Sequence, residues 1–307
     1  MVTAQPQALP RVRNRGDRTT VHGVTVFSWN PHRPLIPERR GSRLVVPRRI
    51  GNFGDLLGPV IVAAMLERAG VAPAAPAPAG AGGRRVLAVG SVLQFARAGD
   101  VVWGSGMNGK SMAELPALSQ LDVRAVRGPR TRAVLHGLGI ESPEVYGDPA
   151  LLAPLLFPWL REASASKVRG TLIAPNMNDR KALRGVPDVL DPQRPLLECL
   201  REIARSERVV GSSLHAVIVA EALGVPAVAV VSREEHPLKY ADYYEGTGRP
   251  GVRLAESVAD ATAARAAVPG PQWAPEPLLD AFPYDVWGAA GPTAAAAAPA
   301  SARQTAR

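Results

Sequence analysis

Val209–His215 reads ValValGlySerSerLeuHis, an order that builds an anion site beside a proton carrier. An apolar strand ends, Gly211, Ser212 and Ser213 turn the chain, and Leu214 and His215 open a helix. First-turn N–H groups of a helix lack intrahelical acceptors, and the helix dipole adds positive charge, so phosphate or carboxylate is favoured there. A histidine at that place delivers or accepts a proton next to the anion. The plainer alternative is that Ser213 caps the helix and His215 simply packs. A second junction, Ala125–Arg132, puts Arg127 at the end of another strand. Its guanidinium can fork onto a carboxylate or phosphate, or form an ordinary surface ion pair. Arg124, Arg130 and Arg132 read as solvated charges.

A third junction, GlyAsnPheGlyAsp at Gly51–Asp55, opens the first long helix. Asp55 reads foremost as its cap, while Asn52 and Gly54 allow a polar ligand close to the backbone. TrpGlySerGly at Trp103–Gly106 is a comparable turn, with Gly104 and Ser105 at its centre. Neither turn matches a dinucleotide fingerprint or a P-loop. No nucleophile elbow, paired carboxylates or zinc spacing is present, so the reading assigns no metal. Asp148 reads as a cap before Pro149, and His136 as a structural residue near a helix end.

These junctions need strands and helices to hold them. Val21–Trp29, Arg85–Val89, Val101–Trp103 and Val123–Val126 are short runs typical of strands, the second and third leading into Gly-Ser turns as buried parallel strands do. Asp55–Ala69 reads as a helix with Pro59 in its first turn. A second series follows: strand Thr171–Ala174, helix Pro195–Ala204, strand Arg208–Val210, helix His215–Leu223 and strand Ala227–Val231. Alternating strands and helices predict parallel sheets, and two such series predict two Rossmann-like halves facing a cleft. Ligands in such folds sit beyond the carboxyl ends of the strands, where the three junctions fall.

Composition agrees with an α/β protein and narrows its partners. Of 307 residues, 46% are hydrophobic and 21% charged, which excludes collagen, coiled coil and wholesale disorder. Cys199 is the sole cysteine, so no intramolecular disulfide exists and a reducing compartment is expected. The net charge of +9 suggests nucleic acid until it is located. Residues 1–50 hold ten Arg, no Lys and two acids, whereas the rest is almost neutral. With aromatics at 5% and no basic face on the body, a nucleic-acid partner is not expected. The start of the chain has no apolar signal region, and Ala216–Val231 is interrupted by Glu221, Gly224 and Pro226. A cytoplasmic protein is expected. Its basic arm is either solvated or held at anionic lipids of the inner membrane face, at about 1 kcal/mol per residue near the surface.

Taken together, the junctions resemble the polysaccharide pyruvyl transferase family. The resemblance rests on AsnPheGlyAsp, TrpGlySerGly, ValArgGlyProArgThr (126–131), TyrGlyAspProAlaLeuLeu (146–152), SerSerLeuHis with AlaLeuGlyValPro (222–226), and LysTyrAlaAspTyrTyr (239–244), across roughly residues 45–250. It implies a fold similar to the GT-B glycosyltransferases. Residues 21–160 would form an acceptor-side domain and 161–265 a donor-side domain, with 266–290 packing back. A disordered basic arm (1–20) and an Ala/Pro-rich disordered tail (291–307) would flank them. It also implies transfer of pyruvate from phosphoenolpyruvate onto a saccharide, lipid-linked or polymeric, as a ketal, with no cofactor. His215 and Arg127 would then be catalytic. Ser212, Ser213, Leu214, Asn52, Gly54, Asp55, Gly104, Ser105 and Lys239 would contact substrate. Many relatives carry Arg where this chain has Ser213, so Lys239 or Arg233 is expected to supply the missing cation. The rival reading is a nucleotide-sugar glycosyltransferase of the same general fold, with Glu221 on the ribose.

Overall fold

The computed structural model describes residues 8–10, 12–15, 18–30, 32–34, 47–49, 51–71, 83–110, 120–264 and 268–289. The expected tail, most of the Ala/Pro loop and the first seven residues lie outside these. In the first part run β1 (Arg13–Arg15), β2 (Arg18–Val21), β3 (Val24–Phe27), β4 (His32–Pro34), β5 (Pro47–Arg49) and α1 (Phe53–Arg68). Then come β6 (Arg85–Leu87), β7 (Val101–Trp103), β8 (Asp122–Ala125), α2 (Pro129–Gly137), α3 (Ala153–Leu156) and α4 (Trp159–Ser164). The second part holds β9 (Arg169–Ile173), α5 (Leu196–Ala204), β10 (Ser206–Gly211), α6 (Leu214–Ala222), β11 (Ala227–Ala229), α7 (Leu238–Gly246), α8 (Val258–Ala263) and α9 (Glu276–Asp280).

Two α/β sheets result, with a cleft between them. The first has the order β1-β2-β3-β6-β7-β8, and the second β11-β10-β9, all parallel. In the first sheet β3, β6, β7 and β8 are parallel, while β1 and β2 extend it antiparallel. The expected single strand at Val21–Trp29 is thus the second arm of a hairpin. His22 and Gly23 both have positive φ, 46° and 85°, the conformation that two-residue hairpin turns need. Residues 13–15 and 18–20, expected in a disordered arm, form strands: this turn folds 18–20 back onto β3, and 13–15 pair in turn with β2. β4 and β5 pair as a separate ribbon.

α1 begins two residues before the expected start, which places Pro59 inside the helix rather than in its first turn. Pro59 has no N–H for the carbonyl four residues back, that of Asp55. α6 is buried nearly all round, as expected of a helix between layers. One continuous core joins the two sheets through α1, α6 and the 149–160 connection, with Leu57, Ile61, Leu152, Leu160, Val217 and Val219 in it. Buried Cys199 sits on α5, and burial pushes its thiol up to about 12, so it is unreactive at neutral pH.

Residues 268–289 return to the first sheet and are pinned by indole N–H groups. Trp273 donates to the Tyr146 carbonyl at 2.8 Å, and Trp287 donates to that of Val21 at 3.1 Å. From the sheet, Trp103 donates to the Leu278 carbonyl at 2.8 Å. Glu221 of α6 accepts both terminal nitrogens of Arg249 at 2.8 Å and the Tyr243 hydroxyl at 2.6 Å. Both oxygens of the Glu221 carboxylate are thus engaged by residues of the chain itself.

Candidate active site

β10 is the central strand of the second sheet, and its carboxyl end points the 211–215 junction into the cleft. Gly211 has φ 150°, and a Cβ there would lie 2.1 Å from the Ala174 carbonyl oxygen, so the turn requires glycine. Ser213 is the N-cap of α6, its Oγ accepting from the Ala216 N–H at 3.4 Å. The first-turn N–H groups of Leu214 and His215 have no acceptor within the helix. Ser212 turns away: its hydroxyl donates to Asp179 at 2.6 Å and accepts from the Asn176 N–H at 3.1 Å. It braces the loop after β9 and is not among the cavity's lining residues.

Across the cleft α1 presents the 51–55 junction. Asn52, not Asp55, is the cap, accepting from the Gly54 N–H at 3.3 Å and donating from Nδ2 to the Asp55 carboxyl at 2.9 Å. Gly54 makes room for the histidine. A Cβ on it would lie 2.1 Å from His215 Nδ1, so the imidazole rests directly on its bare backbone. Among the described residues no group hydrogen-bonds the His215 ring. The two junctions therefore meet: Asn52, Asp55, Ser213, Leu214, His215 and Lys239 line one cavity of 290 Å³. A larger, more apolar groove of 1200 Å³ beside the β2–β3 turn touches none of the three junctions.

Three expected contacts lie elsewhere. Arg127 is fully buried and its guanidinium is used by the protein. Nε donates to Asp242 at 3.0 Å, one terminal nitrogen to Ser91 Oγ at 2.6 Å and the other to the Met107 carbonyl at 2.7 Å. Thr131 also donates to Asp242, from its N–H at 2.8 Å and its hydroxyl at 2.7 Å. Arg127 stands behind Ser91 and is not among the cavity's lining residues, because α7 brings Asp242 to it. Gly104, with φ 80°, packs against Pro149, where a Cβ would clash at 2.4 Å. Ser105 is buried, its hydroxyl donating to the Gly90 carbonyl at 3.0 Å. Both shape the wall and neither faces the cavity. Arg124, Arg130 and Arg132 form surface ion pairs with Asp122, Glu245 and Glu144.

Lys110, Asn176 and Glu235 line the cavity but carry no signal in the sequence pattern. Ser91 had a partial one, being the Ser of the Gly-Ser turn after β6. Lys239 lies 3.3 Å from Glu235, which Lys110 also reaches at 3.2 Å. Of the two candidate cations, Lys239 lines the cavity and exposed Arg233 does not.

Burial dominates the electrostatics. It raises the Asp55 carboxyl to about 7, against the Asn52 amide and the Lys239 charge. It lowers the His215 imidazole to about 3, helped by Lys239 and Arg127, so the ring is neutral at ordinary pH. The Lys239 ammonium is also lowered by burial, with Glu235 opposing. Burial would raise Glu235, but the two lysines outweigh it and hold the carboxyl low. The cavity therefore joins a helix N-terminus, a buried ammonium, a neutral imidazole and a carboxyl near its midpoint. That set can hold a small anion and exchange protons with it. Asp148 caps the turn at Pro149, accepting from the Ala150 N–H at 3.0 Å, and His136 Nε2 lies 3.3 Å from the Ser142 carbonyl; both are structural. Among the described residues no trio of His, Cys, Asp or Glu is placed for a metal ion, and no helix is long and apolar enough to span a membrane.

The family model for polysaccharide pyruvyl transferases matches residues 80–234. A curated relative, the succinoglycan biosynthesis protein ExoV of Rhizobium meliloti, is 28% identical over 179 residues. The match covers 53% of this chain and 54% of the relative, so the chain spans about half the length of that protein. Among solved structures, an uncharacterized protein of Klebsiella pneumoniae aligns with a TM-score of 0.39 and 12% identity, over 63% of this chain and 84% of that one.

Proposed function

The chain belongs to the polysaccharide pyruvyl transferase family, and from this premise we propose that it is a transferase with phosphoenolpyruvate as donor and a saccharide as acceptor. The product is a pyruvate ketal bridging two hydroxyls, with release of phosphate. The observation that carries this reading is the 290 Å³ cavity with His215 and Lys239 at the N-terminus of α6. It is at the small end of ligand sites, which run from about 300 to 1,000 Å³, and suits a compact anionic donor better than a nucleotide sugar. The engagement of Glu221 with Arg249 also weighs against a ribose contact. The two facing α/β units are read as a GT-B-like pair.

The donor carries a carboxylate and a phosphate. Lys239, Lys110 and the N–H groups of Leu214 and His215 are the groups available for them. The acceptor hydroxyls must lose their protons as they attack the carbon bearing the phosphate. Neutral His215 is placed to take one through its unprotonated ring nitrogen; burial and the nearby cations lower its basicity, and the anionic donor beside it would raise it again. His215 then returns the proton to the departing phosphate. The acceptor approaches from the first-sheet side, past Trp29 and Asn52.

The test is a reaction followed by proton NMR, with phosphoenolpyruvate and a panel of methyl hexopyranosides bearing free diols. Loss of the vinyl signals, a new ketal methyl signal and equimolar phosphate are expected. Vinyl signals that persist with every acceptor, while a nucleotide sugar is consumed, would contradict the proposal.

A further inference from the structure

The ketal reaction needs a proton on the donor's methylene carbon before any hydroxyl can add, and a neutral His215 has none to give. We infer that Asp55 is the acid that protonates this carbon, working opposite His215 across the bare backbone of Gly90. This inference rests on the donor proposed above. The geometry is specific. A point one bond out from the Gly90 Cα lies 3.7 Å from Asp55 Oδ1 and 3.8 Å from His215 Nε2. The carboxyl and the imidazole thus flank one small space in the same cavity wall. Asn52 fixes the carboxyl through its 2.9 Å hydrogen bond. No arginine or lysine forms a salt bridge with it among the described residues, in contrast to Asp100 and Asp242.

The groups facing Asp55 come from three elements. Asn52 is at the start of its own helix, His215 is on α6, and Lys239 and Glu235 are on α7 and the loop before it. Lys110 adds to the same cavity from its partner Glu235, and Arg127 lies behind Ser91. Burial outweighs the cations and leaves the carboxyl half-protonated near pH 7. That is the range in which a general acid is most effective.

The steps balance. The Asp55 O–H bond breaks and its proton bonds to the methylene carbon, using the donor's π pair and leaving a cationic centre at the adjacent carbon. The first hydroxyl adds there and gives its proton to His215. The carbon–oxygen bond to phosphate breaks, and phosphate leaves with the His215 proton. The second hydroxyl closes the ketal and returns its proton to the Asp55 carboxylate. Both residues finish as they began.

Asp55→Asn keeps the shape and the Asn52 contact while removing the acid. Its expected turnover of phosphoenolpyruvate with a methyl hexopyranoside falls about 10²–10⁴-fold. Its thermal shift with phosphoenolpyruvate stays at least as large as that of the wild type, since a carboxyl is removed beside an anion. In the wild type, kcat/KM declines as pH rises through about 7, because only the protonated carboxyl donates. Asp55→Asn lacks that decline. Turnover within threefold of wild type, an unchanged pH profile, or loss of the phosphoenolpyruvate shift in Asp55→Asn would each overturn the assignment. A wild type that gives neither shift nor turnover with phosphoenolpyruvate would instead overturn the donor reading on which it stands.

Discussion

Replacing His215 with Ala is expected to reduce turnover about 10²–10⁴-fold while leaving the protein folded. The imidazole makes no hydrogen bond to another described residue and rests on the backbone of Gly54, so its removal leaves no buried partner unpaired. The cations and the α6 N-terminus remain, and binding of phosphoenolpyruvate should survive. The split between lost turnover and retained binding is the mark of a group that acts on protons rather than one that holds the donor. Phosphate release and a melting curve with and without phosphoenolpyruvate measure both halves. A variant with wild-type turnover would remove His215 from the chemistry.

Arg127→Ala is expected to act on stability, by about 3–5 kcal/mol, because it strands Asp242 in a buried site with only Thr131 as donor. The pair joins the β8–α2 loop of the first unit to α7 of the second, so its loss loosens the seam that carries Lys239. Packing there is tight: a Cβ on Gly128 would fall 1.8 Å from the Asp242 carbonyl oxygen, and one on Gly246 would fall 2.3 Å from that of Arg127. The double variant Arg127→Met with Asp242→Leu should recover most of the loss, since removing both charges leaves neither stranded. Denaturant melts of the two variants test this. An Arg127→Ala protein that melts like wild type yet no longer responds to phosphoenolpyruvate would make Arg127 a donor ligand after all.

The contrast between these residues shows what a linear pattern carries. The junctions at Asn52–Asp55 and Ser213–His215 were legible because each is a local strand-to-helix or loop-to-helix turn, and parallel sheets deliver such turns to one cleft. The direction of a side chain within a junction was not. Arg127 points inward because Asp242, 115 residues later, arrives to meet it, and nothing near Arg127 announces that partner. Glu221 likewise turns to Arg249, and Ser105 to the Gly90 carbonyl. Lys110 lines the cavity from a loop far in sequence from its partner Glu235, so no spacing marks it. The strands Arg13–Arg15 and Arg18–Val21 are not legible in the composition, because an arginine-rich stretch looks like a solvated arm. The signal that would have found them is His22–Gly23, a two-residue turn before a β-branched run.

Donor binding separates a pyruvyl transferase from a nucleotide-sugar glycosyltransferase. Thermal melts of the full chain would be recorded with phosphoenolpyruvate and, separately, with a panel of nucleotide sugars. A ligand at a hundred times its dissociation constant stabilises by about 2.7 kcal/mol, which such melts resolve easily. Phosphoenolpyruvate is expected to stabilise the chain, less so in Lys239→Met, and no nucleotide sugar is expected to do so. Stabilisation by a nucleotide sugar alone would contradict this and return the cleft to the glycosyltransferase reading.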